Sequence, residues 1–246
     1  MRDCVIVGCG RSGTSLAAGM LADAGYNPGS DLLPPDEGAP KGFFESRKVN
    51  RINEQLLAAC DDRFTCRDGY ARALRDGERW LAVLPPDVEI DAPPPSLRAE
   101  MRSALPSSPY CCKDPRFAYT LPCWRPLFDA AIFVCVFRDP AATARSISSQ
   151  VRYGDLTVAF DAAVEIWKAT YGRVLERHRR NGTWVFVHYE QLLDGTGLER
   201  LARTLGAALD SRIADPALYR SRPQAPVPAE GQRIYQELCA EAGHVA

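Results

Sequence analysis

Apolar and polar positions along this 246-residue chain change period several times, and each change marks an element. Val5, Ile6 and Val7 form a continuous apolar run that breaks into the turn GCGRSGTS. Leu16, Met20 and Leu21 then recur at helical spacing, and Gly25 is a stop signal. Residues 26–42 hold four prolines and read as loop. Helical periodicity resumes in FFESRKVNRINEQLLAAC, where Val49, Ile52, Leu56 and Leu57 form one stripe and Glu45 stands at the entrance. Residues 61–109 are the least regular part, with Tyr70–Leu84 and Ser96–Ala104 separated by proline runs.

Beyond them, Tyr110-Cys111-Cys112 reads as a short strand leading into KDPRFAYTLPCW. Residues 130–137, AAIFVCVF, are continuously apolar, as a parallel strand covered on both faces should be. Asp139 follows as a natural N-cap, with Pro140 at the first helical position. A long helix is predicted over 158–180, with Phe160, Val164, Trp167, Tyr171 and Val174 on one face. Residues 183–188 make another buried strand, Leu198–Leu209 an amphipathic helix, and a last helix lies near Gly231–Ala242 after a proline- and arginine-rich tail at 210–228.

Strands alternating with helices predict an α/β fold: a P-loop-like three-layer domain with a central parallel sheet flanked by helices. Residues 1–246 are expected to form a single domain in which 61–109 is a lid or acceptor-binding insertion, since loops on a rigid scaffold carry specificity. A structureless linker is the plain alternative for that stretch. Ligands of such sheets bind at the carboxyl ends of strands. Residues 8–15, Lys113–Arg116 and Arg138–Ser146 are the polar clusters that fall there.

Composition narrows the setting. An apolar fraction of 46% suits a globular core, and a net charge of −1 provides no general attraction to nucleic acid or an acidic membrane. The nine cysteines show no C-x-x-C pair and several lie in apolar runs, which favours reduced thiols over a disulfide framework. The first strand begins at once, leaving no room for a signal peptide, and no apolar run is long enough to span a bilayer. A cytoplasmic protein without stable membrane insertion is expected. Oligomeric state is not legible.

The turn after the first strand carries the chemistry. Strand, glycine turn and helix aim backbone N–H groups and a helix N-terminus at one anion. The frame G-x-x-x-x-G-K-[ST] fits at Gly8, Gly13 and Ser15, but Thr14 stands where the lysine belongs. Gly10, Arg11, Ser12, Gly13, Thr14 and Ser15 are therefore candidates to cradle a single phosphate, with Arg11 as the nearby cation. A nucleoside-triphosphate enzyme would want the lysine and Mg²⁺.

GCGRSGTS after a first strand, with VFRDPAATARSI after a later one, resembles the sulfotransferases that use 3′-phosphoadenosine 5′-phosphosulfate (PAPS). YEQLL at 189–193 and KDPRFAYTLP are similar to further segments of that family, the latter in bacterial members. The resemblance implies that the loop binds the 5′-phosphosulfate and that Arg138 and Ser146, eight residues apart, bind the 3′-phosphate, with Tyr189 beside the donor. It implies in-line sulfuryl transfer from PAPS to a hydroxyl, or an amine, of a small-molecule, lipid or natural-product acceptor. The product is 3′-phosphoadenosine 5′-phosphate (PAP), and no metal is required. Arg11 and Lys113 are candidates for stabilising charge on the bridging and sulfuryl oxygens.

The acceptor hydroxyl needs a base. Cytosolic members use a histidine in the segment that matches Lys113–Arg116, and this chain has none there. Other members use a glutamate in a context similar to Phe44-Glu45-Ser46-Arg47, which makes Glu45 the first candidate, Asp114 the second and His188 the third. A carboxylate at that place also suits a plain helix start. Arg47 and Arg116 could hold an anionic acceptor or order Glu45. Two other functions share these features: a P-loop small-molecule kinase, with Asp139 as the magnesium carboxylate, and a non-catalytic nucleotide-binding protein that kept the donor pocket.

Overall fold

A computed structural model describes residues 1–36, 39–149, 156–214 and 225–245. Its apolar runs form one parallel sheet of β1 (Cys4–Val7), β2 (Cys111–Lys113), β3 (Ile132–Phe137) and β4 (Thr183–His188), in the order β2-β1-β3-β4. Cys4 is in register with Cys111 on one side and Ile132 on the other, and Ile132 with Thr183.

Side chains alternate between the two faces, which is why these strands read as unbroken apolar runs. Cys4, Ile6, Cys111, Val134, Val136, Val185 and Val187 pack on one face. That face is covered by α1 (Thr14–Asp23) and α8 (Leu198–Leu205), with Leu192 of α7 (Tyr189–Leu193). Val5, Val7, Cys112, Phe133, Cys135, Phe137 and Phe186 pack on the other. There they meet α2 (Arg47–Ala58), α4 (Phe117–Trp124), α5 (Pro140–Ser148), α6 (Phe160–Arg173) and α9 (Ala229–Ala242). The three-layer architecture is the one the periodicity predicts. The nine cysteines are all free thiols, and among the described residues no helix is long and apolar enough to cross a membrane.

Local signals set most boundaries. Asp139 caps α5, its Oδ1 accepting the Ala142 N–H at 2.8 Å, with Pro140 next. α1 closes at Ala24 before Gly25, whose φ of 93° only glycine adopts cheaply. The helix predicted over 158–180 is α6 continued by a π-helical turn, Val174–His178. The one predicted over 198–209 ends earlier, where Gly206 turns left-handed.

The sequence pattern did not show α4, because Pro122 lies inside it. Proline lacks the N–H that would bond the carbonyl four residues back, that of Ala118. His178 meets that carbonyl with its Nε2 at 2.9 Å from the π-helical turn. Burial, above all, lowers the His178 pKa to about 4, so the neutral ring can carry its proton on Nε2 and donate it.

Residues 61–109 are docked rather than loose. Leu81, Ala82, Leu84 and Met101 are buried, Thr65 and Val83 form an antiparallel bridge, and α3 (Pro95–Ala104) closes the segment. Its Phe64, Ala82 and Leu84 form a small cluster with Leu57, Cys60 and Tyr119. Of the tail at 210–228, residues 215–224 lie outside the described residues.

Candidate functional site

From β1 the chain moves to β2 on one side, then returns to place β3 on the other. The carboxyl ends of β1 and β3 therefore splay their connections apart, opening the crevice where ligands of α/β sheets bind. Residues 8–13 leave β1 there, and Arg138 leaves β3.

The loop is closely fitted. Gly13 begins α1 with φ 93°, and a Cβ on it would lie 2.3 Å from a ring carbon of Tyr189. A Cβ on Gly10 would lie 2.4 Å from the Trp80 ring, so the segment 61–109 packs directly on the loop. Arg11 is held left-handed at φ 71°, and its Nε donates to Ser146 Oγ at 3.3 Å across 135 residues of sequence. Ser12 Oγ meets Thr143 Oγ1 at 3.3 Å in full burial, and the Cys9 N–H donates to Tyr171 Oη at 3.1 Å. Tyr171 in turn donates to the Val136 carbonyl at 2.7 Å. Side chains of α5, α6 and α7 thus set the loop's shape, leaving backbone N–H groups at the start of α1, which have no intrahelical acceptor, to face an anion.

Arg138 is buried, its guanidinium 4.9 Å from the centre of the Tyr189 ring, and its carbonyl accepts from Trp167 Nε1 at 3.1 Å. Ser146 and Arg138 belong to the same connection, and Arg11 reaches that connection from the loop. The structure therefore brings Gly10, Arg11, Gly13, Arg138, Ser146 and Tyr189 to one place. Ser12 instead faces the protein, its hydroxyl turned to Thr143 and its N–H donating to the Cys9 carbonyl at 3.3 Å.

Lys113, the last residue of β2, is 5% exposed, not a solvated surface lysine. Its Nζ donates to Ser15 Oγ at 3.1 Å, to the Phe43 carbonyl at 3.2 Å, and to Glu45 Oε1. Glu45 lies outside α2: Ser46 is the N-cap, its Oγ accepting from Val49 N at 3.4 Å, and Phe44 turns left-handed at φ 56° just before. The plain helix-start reading of Glu45 gives way to a buried ion pair with Lys113.

That pair opens a row of buried charges. Asn50 Nδ2 donates to Glu45 Oε2 at 3.2 Å and to Asp114 Oδ2. Asp114 Oδ1 accepts the Arg116 N–H at 2.8 Å and Arg116 Nη1 at 3.1 Å. Arg116 Nε bonds Glu54 Oε1, and Glu54 Oε2 accepts from Arg79 Nη1 at 2.9 Å. Arg79, in the insertion, also makes a two-point pair with Asp61 at 2.9 and 3.0 Å. Burial pulls the Arg116 pKa down, but Asp114 and then Glu54 outweigh it and the net shift is upward. Asp61, first among its partners, likewise raises the Arg79 pKa.

Other candidates stand elsewhere. Arg47 is exposed and pairs with Asp31 at 3.5 Å. His188 is locked into the fold: its Nδ1 accepts the Glu190 N–H at 3.2 Å and its Nε2 meets Tyr235 Oη at 3.2 Å. Burial lowers its pKa to about 3. His188, Glu190 and His244 bring their ligand atoms within 4.8 Å of one another, but both His188 nitrogens already have these partners. Asp139 uses Oδ1 to cap α5. Asn50, Glu54 and Arg79 were not singled out from the sequence, because nothing in their spacing separates them from an ordinary polar helix face or loop.

Residues 4–211 match the family described as the Sulfotransferase family. The chain has no match among the curated proteins. Its structure is similar to that of the sulfotransferase domain from the Synechococcus PCC 7002 olefin synthase, with a TM-score of 0.56 and 19% identity over 96% of this chain and 94% of that one. At that identity the likeness is one of fold.

Proposed function

Because the chain belongs to the sulfotransferase family, we propose that it transfers a sulfuryl group from PAPS to a hydroxyl, or an amine, of a small-molecule, lipid or natural-product acceptor. One observation carries the reading: the Lys113 ammonium touches both Ser15, in the first turn of α1, and Glu45. A cation paired with a carboxylate thus adjoins the helix N-terminus that follows the glycine loop.

The cradle fits a nucleotide donor with two separated phosphates. Gly10 and Gly13 have no room for a Cβ because the Trp80 and Tyr189 rings pack against them, which fixes the course of the loop backbone. Thr14, in place of a P-loop lysine, suits one phosphate rather than three. The N–H groups of residues 13–15 would hold the 5′-phosphosulfate, and Arg138 with Ser146 the 3′-phosphate through charge-assisted bonds. Tyr189 fixes the Arg138 guanidinium by its ring face. PAPS supplies an activated sulfuryl group on a phosphate leaving group.

The chain's own residues then orient and balance charge. Glu45 accepts the acceptor's proton as its oxygen bonds to sulfur, while the sulfur–oxygen bond to the phosphate breaks. Lys113 stabilises the negative charge that grows on the sulfuryl and bridging oxygens, the effect that dominates such transfers, while Arg11, whose Nε donates to Ser146, adds its charge beside the group assigned to the 3′-phosphate. The 61–109 insertion, resting on Gly10 through Trp80, forms the acceptor side as a lid.

Calorimetric titration of metal-free protein with PAP, and with ATP in parallel, tests the donor. Tight PAP binding without Mg²⁺, weakened in Arg138→Ala, is expected. Magnesium-dependent ATP binding with no response to PAP would return the loop to the kinases.

A further inference from the structure

Asn50 joins two carboxylates that the chain brings in from separate elements. Glu45 precedes α2, Asp114 follows β2, and Asn50 lies on the first turn of α2 between them. A primary amide nitrogen carries two N–H donors, so Nδ2 can serve Glu45 Oε2 and Asp114 Oδ2 together. With the amide turned round, its oxygen would face two negative charges. The orientation follows from the network itself.

Both Glu45 oxygens are thereby engaged, Oε1 by Lys113 and Oε2 by Asn50, and the plane of the carboxylate is set. Asp114 is anchored on its other side by Arg116, Arg116 by Glu54, and Glu54 by Arg79 of the insertion. Every member of this row is ionisable except Asn50. Its place matters: a second cation beside Glu45 would overcharge the pair it makes with Lys113, and a third carboxylate would repel it. A neutral donor orients the group without adding a charge.

We infer that Asn50 is the positioning residue for Glu45, fixing its carboxylate against Lys113 and tying it, through Asp114 and Arg116, to the docked insertion. The inference rests on the reading of Glu45 as the base. Asn50 itself touches no reacting atom.

Carbon-13 NMR of protein labelled at glutamate side-chain carboxyls tests it directly, with the Glu45 resonance identified by its loss in Glu45→Gln. Asn50→Asp, which keeps the shape of the side chain, should raise the Glu45 titration midpoint by about one pH unit or more, and Asn50→Ala should raise it less. The acid limb of the kcat profile, measured with PAPS and 2-naphthol or another simple alcohol as acceptor, should move with it. In Asn50→Ala, kcat should fall by roughly 10–100-fold, as loss of a hydrogen bond to a charged group implies. The KM for PAPS and the Kd for PAP should stay within about twofold, since the donor loop is untouched. A Glu45 resonance and midpoint unchanged in both variants would overturn the inference, whatever happens to stability. Full turnover in Glu45→Gln would instead remove Glu45 as base, while the NMR titration would still report whether Asn50 holds it.

Discussion

Around residues 8–15 the proposed donor site offers backbone N–H groups, shaped by glycines that leave no room for a Cβ and by hydroxyls from α5 and α6. Around Glu45 the groups are ionised side chains, buried and joined in a row from Lys113 to Arg79. The first arrangement would bind an anion with fixed dipoles and would need little compensating charge. The second keeps charges out of water, which is tolerable only while every partner is present. Loss of one side chain on the loop side should weaken a ligand; loss of one on the carboxylate side should strain the whole site.

That contrast can be broken or sharpened by variants on each side. Glu45→Gln should lower turnover by roughly 10²–10⁴ while PAP affinity stays near wild type, as for removal of a general base. Steady-state kinetics beside calorimetry reads both, and a parallel loss of PAP affinity would merge the two sides. Arg116→Ala should destabilise the fold by about 3–5 kcal/mol, because Asp114 and Glu54 lose a buried partner. Urea unfolding measures it, and a loss below about 1 kcal/mol would mean the row is no more than surface-like ion pairing.

Arg138→Ala belongs to the loop side and should weaken PAP binding by about 1.5–3 kcal/mol, the range for hydrogen bonds to a charged group. A stability loss as large as that of Arg116→Ala would erase the distinction. A further prediction concerns pH. His178 holds α4, and so Arg116, through the Ala118 carbonyl, and its pKa in the fold is about 4 against an ordinary 6.5. The unfolded chain takes up the proton first as pH falls. The stabilisation is therefore complete above about pH 6.5 and lost toward pH 4, with a slope of about 1.4 kcal/mol per pH unit for this histidine. Urea midpoints from pH 7 to pH 5 should fall accordingly, and His178→Gln, which keeps a donor that does not titrate, should flatten the slope.

Legibility from sequence followed the same division. The loop, its glycines, Arg138, Asp139 and Pro140 announce themselves in short contiguous segments, and the Tyr189 ring packs on both Gly13 of the loop and Arg138. Glu45 and Lys113 were legible only as candidates. Their contact, and the role of Asn50 between Glu45 and Asp114, joins positions whose own neighbours say nothing of it. α4 is not legible in the sequence because a proline argues against a helix unless a distant donor, here His178, takes the orphaned carbonyl.

By itself, then, the sequence determined the parallel α/β sheet, its capped helices and the lysine-less loop, since periodicity, glycine and capping act within a few residues of chain. Tertiary structure alone decided which carboxylate meets Lys113, that Trp80 of the insertion lies on Gly10, and that Arg79 reaches Glu54. Those contacts depend on how separate segments pack, and a buried charge selects its partner by proximity in space, which no local pattern encodes.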